Sequence, residues 1–272
     1  MSPEASYRII DSRNRSGLFS VATVLLENLM LAPSDEYYQV YLGEGSLYFD
    51  ADWGSNVWEY YFEQPLAPKN FEKILASTTS EWGFLFRRKG LLDVSNRTET
   101  YYEAIHKAAA IFEARIGFSE RMQEHLNQVI TESGLLEMPT LCVHRRATDW
   151  KHTKKLPLSA FFAEADPFAD LGWKIFLATD SNYSLLAFKR RYGKRLSYLR
   201  TARSWTGKSL HLQTRRRISP AAAGRDAVVD AYLLSRGNHL IRTRSNVTTF
   251  AQILNPSIPV TELDNHLEAG PG

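Results

Sequence analysis

The second half of the chain alternates short apolar segments with helix-forming segments, and this alternation constrains the fold more than any other feature. Five segments have the length and the β-branched or aromatic content of buried strands: "TLCVH", "WKIFLATD", "RLSYL", "NHLIRT" and "IPVTEL". Segments with helical patterning stand between them, among them "LSAFFAEA" and "NYSLLAFKRRYG". Strands that alternate with helices favour a parallel sheet covered by helices, so the pattern predicts an α/β fold.

The first half opens with the same order of elements. A strand "YRIID" precedes the apolar helix segment "LFSVATVLLENLMLA" and a second strand "YYQVYLG", and two helices are predicted near 99–116 and 119–132. The segment "GLLEMP" at 134–139 then interrupts the helical pattern with Gly and Pro. We therefore predict two Rossmann-like lobes that face a central cleft, formed by residues 1–138 and 139–272.

The composition limits the class of protein. A formal net charge of only +3 does not favour a nucleic-acid binder for the chain as a whole. Cys142 is the only cysteine, which excludes an internal disulfide framework and a cysteine-built metal site. The polar start "MSPEASYRIIDSRNRS" does not resemble a signal peptide, and no apolar stretch has the length of a membrane span. These features predict a soluble, cytoplasmic protein.

Polar side chains follow three of the predicted strands in the second half. Ligands of open α/β sheets bind outside the carboxyl ends of the strands, so these residues are the candidates for a binding site. They are His144, Arg145, Arg146 and Asp149 after "TLCV", Thr179 and Asp180 after "IFLA", and Thr243, Ser245 and Asn246 after "NHLIR".

The last of these segments predicts a phosphate site. Ser245 and Asn246 stand where a helix begins, and backbone N–H groups at a helix N-terminus bind anions. An arginine from the first segment can meet the same anion with a planar, two-pronged donor set. Asp226 or Asp230, on the preceding helix, can accept hydrogen bonds from a nucleobase or ribose. The residues together indicate a nucleotide-diphosphate site.

The motifs that are missing narrow this prediction. The sequence has neither GxGxxG after a strand nor GxxxxGK[ST], which excludes a nicotinamide-type dinucleotide site and a P-loop. The pair Asp50 and Asp52 has Asp-x-Asp spacing but lies in an aromatic segment rather than at a strand end. We therefore expect neither a metal ion nor a cofactor besides the nucleotide substrate, with cationic side chains replacing the metal.

Three motifs in this region resemble those of the fucosyltransferases of the GT-B fold, a group that includes core α1,6-fucosyltransferases, the rhizobial nodulation fucosyltransferase and protein O-fucosyltransferases. The stretch "VHRRATD" is similar to their His-x-Arg-Arg-Thr-Asp motif, "IFLATDSNYSLLAFKRRYG" to the second motif, and "AVVDAYLLSRGNHLIRTRSN" to the third. The resemblance covers roughly residues 140–256.

The resemblance implies a metal-independent, inverting transferase whose C-terminal lobe binds a nucleotide sugar, GDP-fucose, for transfer to a hydroxyl of a glycan. It assigns the essential arginine to Arg146, the contacts with the base or ribose to His144 and Asp230, and the phosphate contacts to Ser245 and Asn246. The chain departs from the motif at Ala147, where the core enzymes have a second arginine that Arg145 would replace.

The sequence does not identify the catalytic base. The core enzymes have a glutamate about ten residues beyond the motif histidine, and Lys154 occupies that position here. Deprotonation of the acceptor hydroxyl then needs a carboxylate from the first half. The candidates are Asp11 at the end of the first strand, and Asp50 or Asp52.

Other interpretations of the same residues stay open. His144 is alternatively a structural histidine, Asp180 alternatively caps the helix that follows it, and the aromatics between Trp53 and Phe62 are interpreted as core packing. The donor is alternatively UDP-xylose or GDP-rhamnose. A different class of function is a non-catalytic module that binds anions or nucleic acid through the basic surface at 188–217.

Overall fold

The computed structural model of the chain describes residues 6–11, 17–31, 36–65, 90–92, 99–148, 156–207 and 218–263. The chain forms two compact units: the first comprises residues 1–124 with 220–225, and the second comprises residues 125–219 with 226–272. The assignment of an acceptor-side lobe to 1–138 and a donor-binding lobe to 139–272 stays a prediction.

The first unit contains the strand–helix–strand order that the sequence predicts. Strand β1 pairs in parallel with β2, from Ser6 opposite Glu36 to Asp11 opposite Tyr41. The connecting helix α1 is apolar on almost every side, and its residues 21–29 are all buried. The elements are β1 (Ser6–Asp11), α1 (Leu18–Leu31), β2 (Glu36–Tyr41), α2 (Glu99–Arg115) and the first turn of α3 (Glu120–Ser133).

The aromatic segment after β2 forms core rather than a surface. Short 3-10 helices occupy Ala51–Trp53 and Val57–Tyr60. The predicted core packing is confirmed for the rings of Trp58, Tyr61 and Phe62, which are at most 1% exposed. The Tyr61 hydroxyl donates a hydrogen bond to the carbonyl oxygen of Ala221 at 2.8 Å, which fastens residues 220–225 to this unit.

The second unit contains a parallel sheet in the strand order β5-β4-β3-β6-β7. The chain runs outward from β3 to β5, then returns to add β6 on the other side of β3. The elements are β3 (Thr140–Arg145), α4 (Leu158–Asp170), β4 (Lys174–Thr179), α5 (Asn182–Tyr192), β5 (Leu196–Ser197), α6 (Pro220–Arg236), β6 (His239–Arg242), α7 (Asn246–Leu254) and β7 (Val260–Glu262). The strand order reverses between β3 and β6, which is where ligands of such sheets bind.

Helices cover both faces of this sheet. Leu141 and Val143 of the central strand pack with buried residues of α4 and α5 on one face. Cys142, which points to the opposite face, donates its thiol hydrogen to the carbonyl oxygen of Leu233 in α6. Side chains of a strand alternate between faces, so every second residue of β3 belongs to the α4 and α5 side. Within the described ranges, no helix is both long and apolar enough to cross a bilayer.

Substitution of Gly224 in α6 tests how closely this helix packs against the Tyr61 hydroxyl. A Cβ atom added at Gly224 would lie 2.2 Å from the Tyr61 hydroxyl oxygen and 2.7 Å from the ring carbon that carries it. Alanine favours a helix over glycine by about 1 kcal/mol, yet we expect Gly224→Ala to lower the free energy of unfolding by about 1–3 kcal/mol because the ring must move. Urea unfolding monitored by circular dichroism measures the change.

Gly17→Ala is the matched control, since an added Cβ meets no atom within 4 Å there. Combining Gly224→Ala with Tyr61→Phe removes the clashing oxygen, and part of the lost stability should return. A stabilising Gly224→Ala would show that the helix does not approach this ring as closely as described.

Candidate functional site

The three polar segments predicted from the sequence lie at one edge of the second unit's sheet. Strands β4, β3 and β6 are neighbours in that order, and all are parallel, so their carboxyl ends lie side by side. His144 is paired with Ala178 on one side and with Arg242 on the other. The strand order reverses at the neighbouring strands β3 and β6, so their carboxyl ends form the topological switch point. Residues 144–148 lie at the end of β3, and residues 243–246 follow β6.

Arg145 and His144 point to opposite faces of the sheet. Arg145 donates hydrogen bonds to the hydroxyl of Ser184 in α5 and to the carbonyl oxygen of Leu156, and its guanidinium lies 5.4 Å from the centre of the Phe161 ring. Burial lowers the pKa of Arg145, although the nearby charge of Asp180 opposes that shift. These contacts fasten the end of β3 to the α4 and α5 layer, on the face away from His144.

His144 is buried and neutral. Burial, followed by the positive charges of Arg146 and Arg242, lowers its pKa to about 3. The imidazole is 6% exposed, and its Nδ1 atom has no hydrogen-bond partner among the described residues. At neutral pH this histidine therefore cannot take up a proton, but it can form one more hydrogen bond to a ligand.

Arg242 is a buried cation at the same edge that is already paired. Its Nε atom donates to Glu262 Oε2 of β7 at 2.8 Å, and the Arg242 side chain is 1% exposed. The pair locks β6 to β7 directly beside His144. Arg146 lies just beyond the end of β3 and near enough to His144 to lower its pKa, and Arg244 lies just beyond the end of β6.

Asp180 joins the ends of β3 and β4. Its carboxylate accepts hydrogen bonds from the backbone nitrogen of Ala147 at 2.8 Å, from the backbone nitrogen of Thr148 at 3.3 Å, and from the Thr148 hydroxyl at 2.5 Å. Thr179 adds a hydroxyl hydrogen bond to the carbonyl oxygen of Arg145 at 2.7 Å. Asp180 does not cap α5, because the Ser181 hydroxyl accepts from the Ser184 nitrogen in that position. The Asp180 carboxylate instead fixes the backbone directly after Arg146, and the Thr179 hydroxyl fixes the backbone directly before it.

The start of α7 is built by its own hydroxyl groups. Ser245 is the N-cap, and its hydroxyl accepts from the Val247 nitrogen at 3.2 Å. Thr248 donates to the carbonyl oxygens of Thr243 and Ser245. The Thr243 hydroxyl oxygen is buried and has no hydrogen-bond partner within the described ranges, and Asn246 is the first residue of the helix. This terminus faces the switch point from the β6 side.

Helix α6 contributes the carboxyl group of Asp230, whose pKa is raised well above the ordinary value. Burial raises the pKa of Asp230 to about 7, and the positive charge of Arg203 only partly opposes this, while Asp226 and Asp180 add to it. Asp230 is partly buried as a residue, but its Oδ1 atom is shielded from water and has no hydrogen-bond partner in the part of the chain that is described. A buried carboxyl in this state is typical of a functional group that is completed by a ligand.

Arg203 is a residue of the site that the sequence did not single out. Its guanidinium donates to the carbonyl oxygens of Thr179 at 3.0 Å, Thr201 at 3.2 Å and Leu199 at 2.7 Å. It thereby fastens the segment after β5 to the end of β4 while its charge faces Asp230. The segment that begins at residue 200 contains several arginines, and nothing in the sequence distinguishes Arg203 from the others.

The structure describes few side-chain contacts for the remaining candidate residues. Asp149 lies outside the described residues, and Asp11 is the last residue of β1, with a side chain outside the described part. Asp52 is exposed in the first 3-10 helix, where its backbone nitrogen donates to Asp50 Oδ1 at 3.3 Å. Among the residues that the structure describes, no three His, Cys, Asp or Glu side chains converge as metal ligands.

Comparison by structure finds fucosyltransferases with the same fold, whereas no protein-family model and no curated protein matches the sequence. Fucosyltransferase NodZ from Bradyrhizobium is 16% identical, with 96% of each chain covered and a TM-score of 0.57. POFUT1 in complex with GDP-fucose is 10% identical, with 95% of this chain and 97% of that chain covered and a TM-score of 0.55.

A mutant of FUT1 from Arabidopsis thaliana in complex with GDP is 10% identical, with 96% of this chain and 71% of that chain covered and a TM-score of 0.52. These likenesses show that the chain has the α/β fold of the GT-B fucosyltransferases. The resemblance of fold that the three motifs implied is confirmed.

Replacing the Asp180 carboxylate tests whether it holds the Arg146 backbone. Asp180→Ala leaves two backbone nitrogens and one hydroxyl without their acceptor, so we expect the free energy of unfolding to fall by about 1–3 kcal/mol. Thr148→Val removes one of the three bonds and should cost less. Urea unfolding measures both variants against Asp170→Ala, which removes an exposed carboxylate from the end of α4. Equal stability of the Asp180 and Asp170 variants would contradict the role.

Because its pKa is raised, Asp230 makes the free energy of unfolding decrease as the pH rises. Because its folded pKa, about 7, lies above its unfolded value, about 4, the folded protein keeps a proton that the unfolded chain releases between those two values. Stability from this group therefore decreases as the pH rises through that window. We expect Asp230→Asn to exceed the wild type in free energy of unfolding by about 1–3 kcal/mol at pH 8, and to match it near pH 4.

Urea unfolding at half-unit pH intervals measures this difference. Asp170→Asn, at an exposed site, is the control and should follow the wild-type curve at every pH. Parallel curves for wild type and Asp230→Asn would show that the pKa of Asp230 is the same in the folded and unfolded states, and would contradict the raised pKa.

Proposed function

We propose that the chain is a metal-independent, inverting glycosyltransferase that transfers fucose from GDP-fucose to a hydroxyl group of a glycan. The observation that carries the proposal is Arg146 at the switch point, beside the neutral and buried His144 and opposite the N-terminus of α7. The fold supports it, since POFUT1 with GDP-fucose and NodZ soaked with GDP-fucose share that fold.

The phosphates of the donor would bind across the switch point. Negative charge grows on the diphosphate as its bond to the sugar breaks, and a fixed cation at that position stabilises the transition state. Arg146 would supply the cation, since it follows β3 at the switch point and its charge acts on the neighbouring His144. The helix dipole of α7 and the buried Thr243 hydroxyl add to this from the β6 side.

The nucleoside would be bound by His144 and Asp230, each of which has a buried polar atom without a hydrogen-bond partner among the described residues. A guanine presents adjacent N–H donors, which an ionised carboxylate at Asp230 accepts. The neutral His144 supplies one hydrogen bond to the ribose or base without adding a second positive charge. Asp226, Asp180 and Arg203 set the charge around Asp230, so a guanine would stabilise its ionised form.

Transfer also needs a base for the acceptor hydroxyl. His144 is unsuited because its pKa of about 3 makes it too weak a base to take up the proton. Asp230 would already bind the nucleoside. The candidates are the carboxylates of the first unit, Asp11 and Asp52, with Asp50 as the neighbour of Asp52. Direct attack on the anomeric carbon would then invert its configuration.

Arg146→Ala tests the proposal. We expect GDP to raise the melting temperature of the wild type equally with and without a chelator, since a ligand at about 100 times its Kd adds roughly 2.7 kcal/mol. Loss of a charged hydrogen-bond donor costs about 1.5–3 kcal/mol, so Arg146→Ala should bind GDP roughly 10- to 100-fold more weakly and lose turnover of GDP-fucose. Arg190→Ala, which removes an exposed cation of α5, is the matched control and should behave as the wild type.

Melting-temperature shifts with GDP, UDP, ADP and CMP separate the alternatives. A shift with UDP rather than GDP would keep the transferase and replace the donor by one such as UDP-xylose, and a GDP shift without fucose transfer would favour GDP-rhamnose or another GDP sugar. No shift with GDP, UDP, ADP or CMP would reject the transferase. Steeply salt-dependent binding of RNA or DNA, unaffected by Arg146→Ala, would support a binding module instead.

A further inference from the structure

Two aromatic rings stand together on the surface of the second unit. Tyr183 is 65% exposed and Trp205 is 57% exposed, and their ring centroids are 5.8 Å apart with the planes at 84°. Leu186, one turn further along α5, is 51% exposed. Single exposed apolar side chains are ordinary, but two exposed rings in contact with each other are a candidate interaction surface.

A hydrogen-bonded scaffold holds the two rings in place. The backbone of Ser204 donates to the Asp180 carbonyl oxygen at 2.8 Å and accepts from the Asn182 nitrogen at 3.0 Å. The Asn182 side chain donates to the Arg203 carbonyl oxygen at 3.0 Å, and the Arg203 guanidinium binds three further carbonyls. The backbone segments that carry the two rings are therefore fixed before a ligand binds, which reduces the entropy lost on binding.

The scaffold is continuous with the candidate donor site. Asp180 binds Ser204 through its carbonyl oxygen, and its carboxylate binds the backbone of Ala147 and Thr148 on the far side of Arg146. Tyr183 follows Asp180 by three residues, in the first turn of α5. The two rings thus lie beside the edge of the sheet where the leaving diphosphate would be held.

We propose that Tyr183 and Trp205 form a saccharide platform that binds the glycan acceptor. The proposal rests on the proposed transferase function and names where its second substrate binds. A pyranose packs its apolar C–H face on an aromatic ring, and two rings at nearly a right angle form a corner that holds one sugar against a face and its neighbour against an edge.

The chemistry around the rings favours a neutral sugar over a charged ligand. The residues next to them in the chain, Asn182, Ser204 and Thr206, have neutral hydrogen-bonding side chains. The nearby cation of Arg203 is occupied by carbonyl groups of its own segment. Tyr183 and Trp205 also carry a hydroxyl and an indole N–H, which can bond sugar hydroxyls at the rim of the contact.

The experiment uses the full chain on an array of neutral oligosaccharides in the presence of GDP, followed by titration of the best binder from the array. We expect Trp205→Ala and Tyr183→Ala each to weaken binding at least 10-fold, and Trp205→Phe to recover most of it. Tyr102→Ala is the matched control, because it removes a 47% exposed ring from α2. GDP thermal shifts of all variants should equal that of the wild type, which also verifies their folding.

The outcomes separate this proposal from the proposed function. Wild-type protein that responds to GDP but binds no oligosaccharide would overturn the platform and leave the transferase. Oligosaccharide binding that Trp205→Ala removes, without any nucleotide response, would support the platform and reject the transferase. Oligosaccharide binding that no platform variant weakens would overturn it. A platform variant that changes only the sedimentation coefficient would also overturn it, assigning the rings to a contact between copies of the chain.

Discussion

The Asp180 carboxylate is the interaction on which the candidate site depends. Parallel strands end at the same edge of a sheet, but the loops that follow them are free to diverge unless something ties them together. Asp180 provides that tie, because one side chain accepts from two consecutive backbone nitrogens and a hydroxyl of the neighbouring loop. Its backbone simultaneously fixes Ser204. A single residue thus positions both the loop that carries Arg146, through its carboxylate, and the segment that carries Trp205, through its carbonyl oxygen.

Burial and the charges around Asp180 shift the pKa values of two groups of the candidate site. His144 is held neutral by burial and by two cations, while Asp230 is held near half-protonation by burial despite the charge of Arg203. Buried polar atoms without partners destabilise a fold, and such atoms at one sheet edge are explained if a polar ligand completes them. A nucleoside diphosphate has the required pattern, since it combines anionic oxygens with N–H donors.

The sequence predicted the strands and the edge at which they end, because burial gives β3 and β4 a distinctive run of apolar residues. It also predicted that the rings of Trp58, Tyr61 and Phe62 are core. The role of Arg203 was missed, since it depends on three carbonyl groups whose positions follow from the folded path of residues 199–203. Asp180 was identified as a candidate, but its partners in the β3 loop follow only from strand adjacency, which no local pattern encodes.

The pair Arg145 and Arg146 shows why a motif alone does not assign roles. Neighbouring residues at a strand end point to opposite faces, so two adjacent arginines cannot serve the same ligand from the same side. Arg145 belongs to the face of Leu141 and Val143, where Ser184, Leu156 and Phe161 bind it. That Arg145 replaces the second arginine of the similar motif stays a prediction; at Ala147, where that motif has the arginine, Asp180 binds the backbone nitrogen. If the chain transfers a sugar, Arg146 is the arginine of this pair on the side of the leaving group, and the α7 dipole and the Thr243 hydroxyl add to the stabilisation from the β6 side.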